Sequence, residues 1–245
     1  MNTIHSDDFG YKTYSDKKII QLLRKGRIKS VSVLVNMCDK GSLKALVKLV
    51  ENKPDIKVGL HLNLVEGKSL ESHEYIPSVI NGRNNLIPLK KFVPLLFLRQ
   101  INPAHVEREV RSQINALKKT GLKVSFIDSH QHLHALSPIS EIVARIADEE
   151  SIRTIRSYRS VKTYTLIAKL KYLFLKTAAF LSYYLYFGSR GLPASWKDRN
   201  QESYSFMSWE GSRFDIAQVK DKKLVFVTHP FLPFDSNKSY TWMLF

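Results

Sequence analysis

Residues 126–138 read FIDSHQHLHALSP, and an apolar run ends just inside this stretch. Seven consecutive positions then contain one aspartate and three histidines: Asp128, His130, His132 and His134. If the strand continued through these four residues, their side chains, spaced two apart, would point the same way. Histidine is the commonest metal ligand and the usual proton carrier near neutral pH. The stretch therefore predicts a metal site or an acid–base site, with an ordinary polar loop as the alternative.

Apolar runs of strand length alternate with segments of helical period along the chain. The predicted strands are Asn2–Ser6, Ser30–Met37, Ile56–Leu64, Val124–Ser129, Ile152–Ile155 and Leu224–Thr228. The predicted helices are Ser15–Lys25, Gly41–Glu51, Pro103–Lys119, Pro138–Glu150 and Tyr164–Phe187. Asn102 and Ser137 each precede a proline and are predicted to cap the helix that follows. Such alternation is typical of a parallel α/β sheet or barrel.

The composition fits one globular domain over residues 1–245, with 44% hydrophobic and 24% charged residues. Residues 65–102 form a long excursion between predicted elements, which is typical of a lid or a binding segment. The only cysteine is Cys38, so an internal disulfide is excluded and any metal must be bound through nitrogen and oxygen. The start, MNTIHSDDFG, has no secretory signal pattern, so a cytoplasmic location is expected.

The net charge of +16 attracts anionic partners. Its basic residues are spread over many segments without a nucleic-acid-binding motif, so no nucleic acid partner is expected. Residues 164–187 are apolar and aromatic but are interrupted by Lys169, Lys171 and Lys176. Their longest uncharged run is too short to span a bilayer. We expect a helix buried in the protein or in a homodimer, with an interfacial helix beside a membrane as the alternative.

Reactive side chains follow or end four of the predicted strands. They are Asp7 and Asp8; His61 and Asn63; the cluster after Ile127; and His229. A parallel barrel brings such strand ends to one rim. One carboxylate and two imidazoles make an open site for a divalent cation, which polarises a carbonyl and activates water. A second carboxylate can take the proton from that water and a histidine can protonate the leaving group, so hydrolysis of an amide or ester is indicated.

The ordered set SDDFG, GLHLNL, DSHQHLH and THP resembles the YdjC-like carbohydrate deacetylases, which include the chitooligosaccharide deacetylases and the hopanoid-biosynthesis-associated branch. The resemblance covers nearly the whole chain. It implies a distorted, incomplete (β/α) barrel and removal of acetyl from an N-acetylated sugar or oligosaccharide. It also implies a divalent ion, with magnesium expected and zinc as the alternative. Relatives continue beyond SYTWMLF, so a shortened carboxyl terminus is expected, and the apolar segment suggests a lipid-linked or membrane-adjacent substrate.

The resemblance also implies roles for individual residues. Asp8, His61 and His130 match the metal ligands, and Asp7 matches the catalytic base. His229 matches the histidine that assists leaving-group departure or holds the acetate. Expected substrate contacts are His132, His134, Asn63 and Arg156. For His132 and His134 the alternative is contact with the metal ligands, and for Arg156 it is pairing with a surface acid.

Two other functions remain open. A metal-dependent phosphoesterase or amidohydrolase barrel also uses His-x-His pairs, but generally on its first strand, where this chain has two aspartates. A degenerate, non-catalytic deacetylase could instead bind an anionic glycan through the basic surface. Binding a sugar needs no base, metal triad and acid together, which favours the enzyme.

Overall fold

The computed structural model of the protein describes residues 3–158, 166–197, 205–208 and 224–228. The strands are β1 (Thr3–Phe9), β2 (Ser30–Val33), β3 (Lys57–Leu62), β4 (Val124–Ser129), β5 (Thr154–Ile155), β6 (Ser205–Ser208) and β7 (Leu224–Thr228). The helices are α1 (Thr13–Arg24), α2 (Lys40–Asn52), α3 (Leu89–Phe97), α4 (Pro103–Lys118), α5 (Ile139–Glu149) and α6 (Leu166–Phe187). Helices therefore alternate with strands, as the hydrophobic periods predicted.

The strands form one sheet in the order β5-β4-β3-β2-β1-β7-β6, and each pairing is parallel. Among the described residues β5 and β6 are the two edge strands, so this sheet is open. The predicted α/β fold with an incomplete barrel is confirmed. The four-residue strand β6 was not predicted, because SFMS is too short to give a periodic signal.

The two faces of the central strands differ sharply in polarity. Residue pairs across neighbouring strands, such as His5 with Ser30 and His61 with Asp128, line one face. The alternate residues, such as Val31, Leu60 and Ile127, belong to the hydrophobic core. Both faces are buried, as is usual for parallel strands. The polar face ends at the carboxyl edge of the sheet, where the candidate site lies.

Local features agree with the sequence-based expectations in some places and differ in others. Asn102 does cap α4, because its side chain accepts a hydrogen bond from the Ala104 amide at 2.9 Å. Ser137 does not cap α5, where the peptide Ser137–Pro138 is cis and no side-chain cap is present. The excursion at 65–102 contains α3 and two isolated antiparallel bridges.

Gly59 makes room for an aromatic ring in the middle of the sheet. It pairs with Phe126 of β4, and a methyl group at position 59 would overlap the Phe126 ring. That ring packs edge-on against His5, with centroids 5.3 Å apart. Because position 59 has no side chain, the Phe126 ring can occupy this space and contact His5 on the polar face.

We expect Gly59→Ala to lower the free energy of unfolding by about 1–3 kcal/mol, because a buried ring must move to admit the methyl group. Urea denaturation measures the change. Gly82→Ala is the control, since a methyl group there would meet no atom within 4 Å. Equal effects from the two variants would contradict the role of Gly59.

Four charged side chains link α4 to α5. Glu107 of α4 accepts hydrogen bonds from Arg145 of α5 at 2.6 and 3.0 Å, and from Arg111 at 2.8 Å. Glu149 pairs with both arginines. Hydrogen bonds from Arg145 and then Arg111 lower the pKa of Glu107 to about 2, although partial burial opposes the shift.

A carboxylate with a lowered pKa stabilises the fold above its unfolded pKa, and the contribution is lost as the pH falls through the folded value. Glu107→Gln should therefore lower the unfolding free energy at pH 7 by about 0.5–1 kcal/mol. The difference from wild type should shrink between about pH 4.5 and pH 2. Urea denaturation across this range tests the prediction, with exposed Glu51→Gln as the control. A difference that stays constant down to the acid limit would refute it.

Candidate active site

An irregularity in β1 turns two adjacent aspartates toward one edge. Neighbouring residues of a regular strand point to opposite faces. Ser6 pairs with Val31 and Phe9 with Val33, so Asp7 and Asp8 together lie opposite one residue of β2. Asp8 adopts a left-handed backbone conformation with φ of 60°, which is strained for a residue with a side chain. This bulge places both carboxylates at the candidate site.

The three predicted metal ligands lie together. Asp8 Oδ1 is 3.1 Å from His61 Nε2 and 2.8 Å from His130 Nδ1. These side chains come from β1, β3 and the residue after β4, and all three are buried. One ligand atom of each lies within 4.8 Å of the others. Residues that are far apart in the chain thus offer one oxygen and two nitrogens to a common point.

A second carboxylate holds the far nitrogen of each of these histidines. Asp128 Oδ1 is 2.6 Å from His61 Nδ1, and Glu66 Oε2 is 3.0 Å from His130 Nε2. Histidines that bind metals typically donate their other ring N–H to such an acceptor, which fixes the ring and its tautomer. Both rings are therefore oriented with one nitrogen toward Asp8.

Neither carboxylate was among the predicted metal ligands or catalytic residues. Asp128 belongs to the polar stretch 128–134, so its signal was present in the sequence. Glu66 lies in the loop after β3, where only the folded chain brings it to His130. It also accepts a hydrogen bond from the Tyr11 hydroxyl at 2.9 Å.

Arg156 follows β5 and is fully buried beneath the site. Its guanidinium donates to Asp7 at 2.5 and 2.9 Å and to Asp128 at 2.6 Å. His5 Nε2 lies 2.9 Å from the same Asp7 carboxylate. Arg156 therefore pairs with two buried acids of the site, and the alternative of a surface acid is wrong.

The pKa values of the cluster follow from burial and pairing. Burial raises the pKa of Asp7, but the Arg156 and His61 charges outweigh it and hold that pKa well below its usual range. Burial likewise opposes ionisation of Asp8, whose pKa is lowered by hydrogen bonds from His130 and His61. Burial lowers the pKa of His61, but Asp128 and Asp7 raise it to about 10. The cluster thus contains carboxylates paired with cationic groups.

The segment after β4 departs from the predicted common direction of its four polar side chains. The strand ends at Ser129, and Gln131 and His132 have left-handed backbones with φ of 55° and 57°. His130 Nδ1 contacts Asp8, whereas His132 Nδ1 lies 3.2 Å from the Tyr158 hydroxyl. The predicted end of the strand at Ser129 is confirmed. The common direction that a continuing strand would give is absent, because two left-handed residues follow His130.

Two of the predicted substrate contacts, His134 and Asn63, make hydrogen bonds within the protein itself. His134 is fully buried, with one ring nitrogen bonded to Ser129 and the other 3.1 Å from the Arg156 carbonyl oxygen. Burial lowers the pKa of His134 to about 3, so the ring is neutral. Asn63 accepts hydrogen bonds from the amides of Val65 and Glu66 at 3.1 Å, which folds the loop that carries Glu66. Contact of His134 and Asn63 with substrate stays a prediction. The internal hydrogen bonds of these two side chains do not favour it.

The residues fit the divalent ion that the resemblance implies. The set combines one carboxylate with two imidazoles, and each imidazole is oriented by a further carboxylate, as in known metal centres. Asp8 Oδ1 lies within hydrogen-bond distance of both rings, at the place where the ligand atoms converge. His229, the predicted acid, lies outside the described residues.

Comparison with known proteins agrees with the fold and the motifs. The family model described as YdjC-like protein matches residues 3–237. A carbohydrate deacetylase of Oceanobacillus iheyensis is 32% identical over 149 residues, covering 60% of each chain. One of Brevibacillus brevis is 32% identical over 146 residues, covering 60% of this chain and 55% of that protein. The matches therefore span less than two thirds of these relatives.

A solved structure gives an independent view of the fold. It is that of a proposed cellobiose-phosphate cleavage protein from Enterococcus faecalis V583, with 23% identity and a TM-score of 0.54. The match covers 71% of this chain and 64% of that one. At this identity the likeness concerns the fold alone.

We expect Asp128→Asn to weaken zinc or magnesium binding about 10- to 100-fold, because His61 loses the carboxylate that orients it. Isothermal titration calorimetry on metal-free protein measures the affinity. Asp55→Asn, on the exposed surface, is the matched control and should bind as wild type does. Unchanged affinity in Asp128→Asn would show that Asp128 does not support the ligand.

Proposed function

Because the chain belongs to the YdjC-like family, we propose that it is a metal-dependent hydrolase that removes the acetyl group from an N-acetylated carbohydrate. The matched relatives named carbohydrate deacetylase support the reaction class. The observation that carries the proposal is the convergence of Asp8, His61 and His130 within ligand distance of one another.

In the proposed reaction these three residues hold the ion. A bound divalent cation supplies Lewis-acid chemistry, polarising the acetyl carbonyl and making water a better nucleophile. Asp128 and Glu66 keep the two imidazoles in position through their far nitrogens. Two nitrogens and one oxygen suit zinc at least as well as the expected magnesium, so the ion's identity is part of the test.

Hydrolysis adds water across the amide. A C–O bond forms at the acetyl carbon, the C–N bond breaks, acetate leaves, and the sugar nitrogen gains a proton to become an amine. A base must therefore take a proton from the water, and an acid must supply one to the nitrogen.

Asp7 is the proposed base. Its lowered pKa keeps it ionised at neutral pH, and Arg156 holds both of its oxygens in place. The same pairing makes Asp7 a weak proton acceptor. Glu66 is the alternative base, because its side chain is 40% exposed at the mouth of the site and lies 3.0 Å from His130.

The proposed acid is His229, on the strength of the family resemblance. The strand that precedes it, β7, pairs in parallel with β1, so both strands end at the same edge of the sheet. His132 stays the proposed substrate contact among the described residues, because it is only partly buried beside Tyr158.

Acetate release from N-acetylglucosamine oligomers tests the proposal. Protein treated with a chelator should be inactive and should recover when magnesium or zinc is restored. Asp7→Asn should keep the metal and lose about 10²- to 10⁴-fold in turnover, the usual loss when a general base is removed. His130→Ala should lose both metal and turnover.

Glu66→Gln separates the two candidate bases. Full turnover in Asp7→Asn, together with a large loss in a Glu66→Gln variant that still binds the metal, would assign the base role to Glu66. Binding of the sugar without acetate release, under every metal tried, would instead favour a non-catalytic binding protein and overturn the proposed reaction.

A further inference from the structure

Helix α6 exposes a long apolar face. Eight large apolar side chains along it are between 43% and 73% exposed: Leu166, Leu170, Leu173, Phe174, Phe180, Leu181, Tyr184 and Phe187. At about 100° per residue, all eight fall within an arc of about 140° on one side of the helix. Soluble monomers seldom leave so continuous an apolar row to water. We call these exposed side chains the α6 face.

The opposite side of α6 packs on the protein. Ala179 and Ser182 are fully buried, and Tyr172, Leu175 and Tyr186 pack on the hydrophobic core. A helix that is apolar all round is normally buried or lies against a membrane. The described part of α6 is therefore anchored on one side and apolar on the other.

The charges around α6 are of one sign. Between Glu150 and Asp198 the chain has nine lysines and arginines and no aspartate or glutamate. Lys169, Lys176, Arg190 and Lys197 are all exposed. Arg99, after α3, lies 5.7 Å from the centroid of the Tyr186 ring, so a further cation borders the carboxyl end of α6.

We propose that the α6 face docks on an anionic membrane surface. Apolar side chains enter the boundary between headgroups and acyl chains, while neighbouring lysines and arginines pair with lipid phosphates. A 22-residue helix is about 33 Å long and lies along the surface in this arrangement. In the described part of the chain, no helix could span a bilayer.

A second copy of the chain, bound through the same face, would be a less favourable partner for the basic residues around α6. A symmetric interface through α6 would bring together two helices that each have three lysines, Lys169, Lys171 and Lys176, and no acidic residue. Like charges across an interface repel, whereas anionic lipids neutralise them.

Docking would also hold the candidate site close to the lipid. The Ser137 amide donates to Ser182 Oγ at 3.0 Å, just after the segment that contains His130. The Tyr172 hydroxyl donates to the carbonyl oxygen of Tyr158, whose own hydroxyl lies 3.2 Å from His132. The inner side of α6 thus packs on the wall of the site, and the docking face is its outer side.

Vesicle flotation with the full chain tests the proposal without an activity readout, so it is independent of the proposed reaction. Phosphatidylcholine vesicles are compared with vesicles in which phosphatidylglycerol replaces about a third of the lipid. Binding to the anionic vesicles should be at least about tenfold stronger and should fall as salt is raised.

Variants assign the binding to the α6 face. Leu170→Ser with Leu173→Ser should reduce partitioning about tenfold or more, since two exposed leucines no longer enter the lipid. Lys169→Gln with Lys176→Gln should reduce binding about tenfold on anionic vesicles only. Tyr14→Ser, at a 62% exposed aromatic residue on α1, is the matched control and should bind as wild type does. Circular dichroism confirms that each variant is folded.

The proposal is overturned if the wild type does not bind anionic vesicles, or if the leucine variant binds as well as the wild type. A dimer in sedimentation velocity that the leucine variant dissociates would assign the face to a second copy. If the protein is a monomer that does not bind vesicles, and the leucine substitutions lower its stability, the α6 face is covered by another part of the same chain.

Discussion

Burial of three carboxylates at one edge of the sheet is the constraint on which the candidate site depends. Asp7, Asp8 and Asp128 are each at most 5% exposed, and a buried charge is strongly destabilising unless it is paired and hydrogen-bonded. Arg156 pairs with two of them from the end of β5, while His61 and His130 pair with the third. The ends of β1, β3, β4 and β5 are thereby fixed to one another by charge as well as by packing.

Two strained backbone segments direct these side chains. The bulge at Asp8 turns the second aspartate of β1 to the same edge as the first, and the left-handed residues Gln131 and His132 end the alternation of β4 after His130. Such strain persists where surrounding contacts determine the conformation, and it is concentrated at functional sites. Here the bulge brings the Asp8 carboxylate to the two imidazoles.

Hydrophobic period predicted most of the fold, because parallel strands buried on both faces leave a strong apolar signal in sequence. It missed β6, which is too short, and it extended β2 to Met37, although the strand ends at Val33. The predicted ligands Asp8, His61 and His130 are adjacent in the structure because each follows or ends a strand of one sheet. Glu66 could not be found in this way, since its position depends on a loop that Asn63 folds through side-chain hydrogen bonds. The spacing of His132 and His134 was misleading, because alternation has meaning only while a strand continues.

The central claim is that Asp8, His61 and His130 bind a single cation. Anomalous X-ray diffraction from crystals grown with zinc tests it most directly. One strong peak is expected about 2.0–2.2 Å from one oxygen of Asp8 and one nitrogen of each histidine. A peak that lies elsewhere, or the absence of any peak between these three side chains at saturating zinc, would contradict the claim.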